Sequence, residues 1–455
     1  MDTTERNHCA WQFDYDKLQN VARPETSESA RSPSVAVVGL GYTGLPTAVS
    51  LAAGGLDVVG VDISPGVVKL VNRGEAPFAE PDLSVRVSGA VAMGALTAQC
   101  EMPQAGAYII AVPTPFDDDH RPDLRAVTAA ARSIAPVLRG GEVIVLESTV
   151  PPGTTRAISE LIAAFRPDLS FPHASDEPDV HLAHCPERVL PGRIMIEIAT
   201  NDRVIGGLTP GCAARAAELY RPFCHGELII TDAASAELAK LAENAYRDVN
   251  IAFANELSLI CLQLGLDVWE IRELANQHPR VDILRPGPGV GGHCIAVDPW
   301  FIVAAAPRQA TLIAAARQVN DQMPEHIAER IVATSRRFRE PRITCLGLSF
   351  KADVADLRGS PAVEIVRRVA AALPEVKVLA VEPHAAALPD QLDSLGNVIL
   401  ADTQRDTPPG SPLDFRDAIE DADVIALLTD HACFRSIRRS QLAGKVVYDT
   451  RGMWA

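Results

Sequence analysis

Several things are scarce in this chain, and each scarcity removes a class of function. No apolar run approaches the roughly 18 residues that a membrane-spanning helix needs, so no membrane segment is expected. Positive charge is short. The 42 Lys and Arg stand against 58 Asp and Glu, a net charge of −16, which argues against a nucleic-acid surface but permits a small anionic ligand held by a few local basic groups. The nine cysteines are odd in number and follow no framework of spacings, so free thiols and a reducing, cytoplasmic setting are expected. Aromatic residues make up only 5% against 47% hydrophobic, the profile of an Ala/Val/Leu-rich α/β protein. Residues 1–33 have neither the apolar segment nor the cleavage signal of an export sequence; they end in Glu25-Thr26-Ser27-Glu28-Ser29 and are expected to form a flexible leader.

What is present fills two or three domains at 455 residues. Two strand-like openings, Val35–Val38 and Arg342–Leu346, each run into glycine and predict two Rossmann-like, doubly wound parallel-sheet lobes. Between them Ala233–Leu264 reads as one long helix without Pro or Gly, and Ala310–Arg337 as a second, broken only at Pro324. A helical middle therefore joins the lobes.

The first opening continues as Gly39-Leu40-Gly41-Tyr42-Thr43-Gly44 and then a helical pattern. Gly39 suits a tight turn, Gly41 lets backbone reach a pyrophosphate and Gly44 lets helix pack on strand, while the helix start favours phosphate. Asp62 ends the next strand, where a carboxylate bonds ribose hydroxyls and repels a 2′-phosphate, so NAD is expected rather than NADP. The strands Tyr108–Val112 and Val143–Leu146 end near Thr114 and Thr149, candidates for the nicotinamide side. Glu187, in the turn Cys185-Pro186-Glu187-Arg188, is a candidate general base or else a solvated acid. His181, His184 and Cys185 find no second ligand pair at metal spacing, so no metal is expected.

On the long helix Lys240, Asn244 and Arg247 fall at i, i+4 and i+7 and put three donors on one face; a solvated face, with Glu243, Asp248 and Glu256, is the alternative. Beyond it, His278 and Arg280 offer anion ligands ahead of a loop with four glycines in six residues, Gly287 to Gly292, leading to Cys294 and Asp298. A helix start or cation there would lower the thiol pKa and make Cys294 a nucleophile, with Asp298 to take a proton. A buried cysteine beside a structural turn fits the same four letters. The second lobe has no GxGxxG, but it presents Lys351 and Arg358 after its first strand and Arg451 after its last.

The ordered motifs GLGYTGLP, VPTP, ESTVPPGTT, CPERVLPG, KLAENAYRDVNIAFANEL, HPRVDILRPGPGVGGHCIAVDPWF, GLSFKADVADLR and DTRG resemble the UDP-sugar 6-dehydrogenases, the family of UDP-glucose dehydrogenase, over about residues 34–455. CPERVLPG and HPRV resemble its N-acetylhexosamine branch, which points to UDP-N-acetyl-D-mannosamine, with UDP-N-acetylglucosamine or UDP-glucose as alternatives. The resemblance implies an NAD-binding domain over 34–230, a central domain over 231–338 and a UDP-sugar-binding domain over 339–455. It also implies a homodimer serving surface polysaccharide synthesis. It makes Cys294 the nucleophile, Lys240 and Asn244 the proton-transfer and oxyanion groups, and Asp298, Glu187 and Thr149 the handlers of proton and water. NAD falls to Gly39, Gly41, Tyr42, Thr43 and Gly44, with Asp62, Thr114, Thr149 and Arg358. The UDP-sugar falls to Arg188, Val189, Lys240, Asn244 and Arg247, then to Gly289, Phe350, Lys351 and Arg451, with His278 and Arg280 reaching across a dimer. Taking an alcohol to a carboxylate needs two hydride transfers and one nucleophile to hold the aldehyde between them. A non-catalytic nucleotide-sugar sensor would need no such thiol, and a two-electron 3-hydroxyacid-type dehydrogenase would need neither Cys294 nor a second lobe. The chain departs from the family at Gly359, where an acid is expected, and in its leader.

Overall fold

A fully buried strand lies within the sheet of each half of the molecule, Val-Ala-Val-Val in the first and Ile-Thr-Cys-Leu in the second. The computed structural model describes residues 35–117, 119–190, 192–292, 294–401 and 415–454; the expected leader lies outside the described residues. The first sheet takes β1 (Val35–Val38), β2 (Val58–Val61), β3 (Leu96–Gln99), β4 (Ala107–Ile110), β5 (Val143–Leu146), β6 (His181–His184), β7 (Arg203–Gly207) and β8 (Leu228–Asp232) in the order 3-2-1-4-5-6-7-8. The second takes β9 (Ile343–Leu346), β10 (Val378–Val381), β11 (Val398–Leu400), β12 (Val424–Leu427) and β13 (Val446–Asp449) in the order 11-10-9-12-13. In each, the first strand is central and buried: β1 lies between β2 and β4, and β9 between β10 and β12. Helices cover both faces, as a parallel sheet buried on both sides requires. Each fully buried Val, Leu or Ile of these cores contributes about 1.5–3 kcal/mol relative to exposure.

The second sheet is wholly parallel, but the first is not. β7 pairs with β6 antiparallel, Ala183 opposite Gly207 and His184 opposite Gly206, so β7 and β8 run against the other six strands. The sequence reading missed these strands because they carry His181, Arg203 and Asp232 at their ends and do not read as plain apolar runs.

The long helix runs unbroken from Ala233 to Leu264, as expected, with the Asp232 carboxylate accepting the Ser235 N–H at its start and Gly265 in the left-handed region (φ +69°) at its end. The break expected at Pro324 does not occur: helix Thr311–Ser335 continues through it. Proline removes one backbone bond and crowds the preceding turn. Burial of Pro324, with the helix packed between the long helix and helix Pro361–Ala372, holds the segment together. None of the helices among the described residues is long and apolar enough to cross a membrane.

Candidate active site

The glycine turn after β1 leaves a cradle that side chains would fill. A Cβ on Gly44 would lie 1.9 Å from the Gly39 carbonyl oxygen, so helix and strand meet only because it is glycine; a Cβ on Gly41 would meet nothing within 4 Å, so that face is open. Thr43 makes no side-chain cap, the Gly41 carbonyl accepts the Leu45 N–H at 3.1 Å and Pro46 has no N–H, so of the first three residues of helix Gly44–Ala53 only Gly44 has an N–H left for a ligand. Asp62 closes the rim, accepting the Leu40 N–H at 2.9 Å and the Ser64 N–H at 2.8 Å. These residues fit a dinucleotide phosphate. Tyr42 stacks on Phe78 with centroids 4.2 Å apart, and the Arg358 guanidinium stands 6.0 Å from its ring while pairing with Asp356 at 2.9 Å. The second lobe thus reaches the glycine turn of the first. Beyond β4 and β5 the half-buried Thr114 and Thr149 lie on loops that Ser148 ties together, its hydroxyl donating to the Val112 carbonyl at 2.7 Å and accepting the Val112 N–H at 2.9 Å.

Cys294 follows the glycine-rich loop, and its carbonyl accepts the N–H groups of Val297 (3.0 Å) and Asp298 (2.9 Å), which sets Asp298 one turn on at the start of helix Asp298–Ala305. Asn244 of the long helix donates to the buried Asp298 carboxylate at 2.5 Å. Burial raises the Asp298 pKa to about 6, against the lowering effects of the Lys240 ammonium and the Asn244 bond. The thiol behaves differently from the sequence expectation. Although Cys294 is exposed as a residue, loss of water around its sulfur and the Asp298 charge push its pKa up, and Lys240 only partly offsets them. At rest the sulfur is a protonated thiol.

The loop that carries Cys294 is fastened on both sides. A Cβ on Gly287 would lie 2.4 Å from an Arg451 guanidinium nitrogen, and one on Gly292 would lie 2.9 Å from the Phe350 ring. Arg451 is held by Asp430 at 2.9 Å, and Lys351 follows Phe350, so the second lobe walls the cleft. Gly359 takes φ +59°, a left-handed conformation that suits glycine where an acid was expected. From the long helix, Asn255 accepts the Gly287 N–H at 2.8 Å and donates to Asn320 at 2.8 Å; Asn320 in turn donates to Asp248 at 2.8 Å, and Asp248 pairs with the buried Arg317 at 2.6 Å. Asp248 is therefore buried and paired, not part of a solvated face. Sequence reasoning missed this network; polar residues on otherwise apolar helix faces were its only signal.

Glu187 is held by Arg203, 2.9 Å away, and accepts the Arg188 N–H at 2.7 Å. The buried Arg203 lies over the rings of Tyr220 and Phe223 at 4.9 and 5.4 Å and stands 3.8 Å from Glu147. Burial pushes Glu147 up to about 7 despite Arg203 and hydrogen bonds from Tyr220 (2.8 Å) and Thr47 (3.1 Å). Neither Glu147 nor Arg203 had been singled out. Arg188 pairs with Glu243 at 2.6 Å, Val189 packs against the first core, Gly289 sits against Pro324 and Pro361, and Arg247, His278 and Arg280 are exposed.

Of the histidine and cysteine group considered for a metal, His181 lies 3.6 Å from Cys212 and His184 is wholly buried. Elsewhere Asp353, His384 and His431 bring ligand atoms within 4.8 Å of one another, but His431 already uses both ring nitrogens, accepting the Asp353 N–H at 2.9 Å and facing Glu382 at 3.1 Å.

A dinucleotide turn, a thiol beside an acid and an amine-bearing helix, and a second nucleotide-type lobe define a class, that of NAD-dependent dehydrogenases acting on nucleotide-linked substrates. The chain belongs to the UDP-glucose/GDP-mannose dehydrogenase family: the family's NAD binding domain matches residues 33–224, its central domain 234–322 and its UDP binding domain 344–455. It is 52% identical over 423 residues, 93% of this chain and 96% of the other, to the NDP-N-acetyl-D-galactosaminuronic acid dehydrogenase of Ralstonia nicotianae. It is 49% identical over 430 residues, 92% of this chain and 99% of the other, to the UDP-N-acetyl-D-mannosamine dehydrogenase of Escherichia coli K12. Among solved structures, the UDP-D-ManNAc dehydrogenase of Pyrococcus horikoshii superposes with a TM-score of 0.78 at 36% identity, covering 93% of this chain and 96% of that one. Both kinds of acetamido-sugar enzyme stand close to this chain, including a galacto form that the sequence reading had not weighed.

Proposed function

We propose that the chain oxidises the C6 alcohol of a UDP-linked 2-acetamido sugar, UDP-N-acetyl-D-mannosamine, to the uronic acid, with two NAD per turnover. The product would serve surface polysaccharide synthesis, and the enzyme would work in the cytoplasm as a homodimer. The observation that carries the reading is the meeting of Cys294, Asp298, Asn244 and Lys240 in one cleft between the two lobes. We propose the domain limits 34–230, 231–338 and 339–455 for cofactor, central and sugar-nucleotide parts.

When bound, NAD takes up the hydride that each oxidation removes from C6. Gly39, Gly41 and Gly44 with Thr43 hold its phosphates, Asp62 its ribose, Tyr42 and Arg358 its flank, and Thr114 and Thr149 its nicotinamide side. Arg451, Lys351 and Phe350 hold the uridine diphosphate with Gly289, while Arg188, Val189 and Arg247 face the sugar side; His278 and Arg280 of one copy complete the site of the other.

The residues then divide the work. Once the alcohol is an aldehyde, Asp298 takes the Cys294 proton and the sulfur adds to C6, giving a thiohemiacetal whose oxygen Lys240 and Asn244 stabilise. A second oxidation leaves a thioester. After Asp298 gives up that proton to solvent, Asp298 or Glu187 takes a proton from a water positioned by Thr149, the water oxygen bonds C6, the C6–S bond breaks, and the leaving sulfur takes a proton back to return as the thiol. Cys294→Ala is expected to form no uronic acid, and Cys294→Ser to stall as a slowly hydrolysed ester visible as added mass on the protein. Uronic acid formed by Cys294→Ala at the unmodified rate would sink the nucleophile.

A further inference from the structure

Among the groups proposed for the chemistry, Thr149 sits on the turn Glu147–Gly153 of the first lobe, and Lys240 and Asn244 sit on the long helix. One side chain joins them. Glu237, 1% exposed, accepts the Gly153 N–H at 2.5 Å, the Thr155 N–H at 2.7 Å and the Thr155 hydroxyl at 2.6 Å. A carboxylate from the long helix thus satisfies the opening N–H groups of helix Thr154–Phe165, whose own N-cap, Gly153, has no side chain with which to do so. Pro151 and Pro152 stiffen the short link from Gly153 back to Thr149. On the long helix, Lys240 follows Glu237 by one turn and Asn244 by two, on the same face.

We propose that Glu237 is a positioning residue: its carboxylate fixes the separation between the Thr149 turn and the Lys240–Asn244 face of the long helix. The inference rests on the roles given above to Thr149 and Lys240. Both carboxylate oxygens are required, because each meets a backbone N–H. An amide of the same shape fills the volume but turns an NH2 toward one of those donors. Glu237→Gln therefore separates the clamp from mere packing.

The test compares the full-length chain with Glu237→Gln and Thr155→Val, reading NADH formation from UDP-N-acetyl-D-mannosamine and amide hydrogen exchange without cofactor. Glu237→Gln is expected to speed exchange at Gly153 and Thr155 by at least about tenfold. It should lower kcat roughly tenfold to a hundredfold, as misplaced reacting groups do, with the KM for the nucleotide sugar within about threefold. Thr155→Val, which removes one of three bonds, should lower kcat less and in the same direction; if Glu237→Gln does not fold, this variant decides by the same criteria. Unchanged exchange would remove the clamp. Faster exchange with unchanged kcat, or a raised KM at full kcat, would remove its positioning role. An unmodified chain that makes no NADH from any UDP-sugar would instead overturn the proposed reaction.

Discussion

At the scale of single residues, the active thiol is not the pre-ionised group that its sequence context suggested. Desolvation and Asp298 raise the Cys294 pKa, so in the proposed mechanism the nucleophile forms only when Asp298 takes its proton. Asp298, itself raised to about 6, is ionised at pH 7 and able to do so; as pH falls through about 6 it becomes protonated, and uronic acid formation should fall with it. The same pairing predicts the effect of removing the charge. Asp298→Asn removes one of the two influences that raise the Cys294 pKa, so it should lower that pKa and speed iodoacetamide alkylation of Cys294 at pH 8. Slower or unchanged alkylation would show that the carboxylate does not govern the sulfur. Cys294, Asp298, Lys240 and Asn244 were legible in the sequence because their spacing within a loop or a helix turn carries the signal. Glu237 and Asn255 were not. Their partners Thr155 and Asn320 lie 82 and 65 residues away, and a polar letter on a helix face does not say what it will meet.

At the scale of elements, one face of the long helix orders the site. Glu237 grips the first lobe, Lys240 and Asn244 face Cys294 and Asp298, Asp248 holds Arg317, and Asn255 holds the glycine loop at Gly287. Those attachments span 18 residues, about 27 Å at 1.5 Å per residue. The helix itself was legible to the residue, since no glycine or proline interrupts it before Gly265. Helix Thr311–Ser335 was read as broken because Pro324 stops most helices; only the packing on both sides explains its continuity. The reversed β7 was hidden for a related reason. Strand direction is set by pairing with β6, and local pattern carries no sign of it.

At the scale of the whole molecule, the two lobes converge on one cleft through contacts that pair distant loops, Arg358 over Tyr42 and Phe350 under Gly292. The long helix also turns Tyr246, Phe253 and Ile260 outward at steps of seven, 74%, 57% and 45% exposed. Such a stripe suits a helix packed against its copy, and a homodimer of this 48.6-kDa chain should sediment at about twice that mass. A monomer at micromolar concentration would contradict it. The central claim is the four-electron oxidation, and the yield of NADH per mole of limiting UDP-N-acetyl-D-mannosamine tests it most directly, with UDP-N-acetylgalactosamine, UDP-N-acetylglucosamine and UDP-glucose in parallel. The account predicts two NADH per sugar from UDP-N-acetyl-D-mannosamine alone. Two from another sugar would move the substrate and keep the chemistry, whereas one or none from every sugar would contradict the thioester route through Cys294.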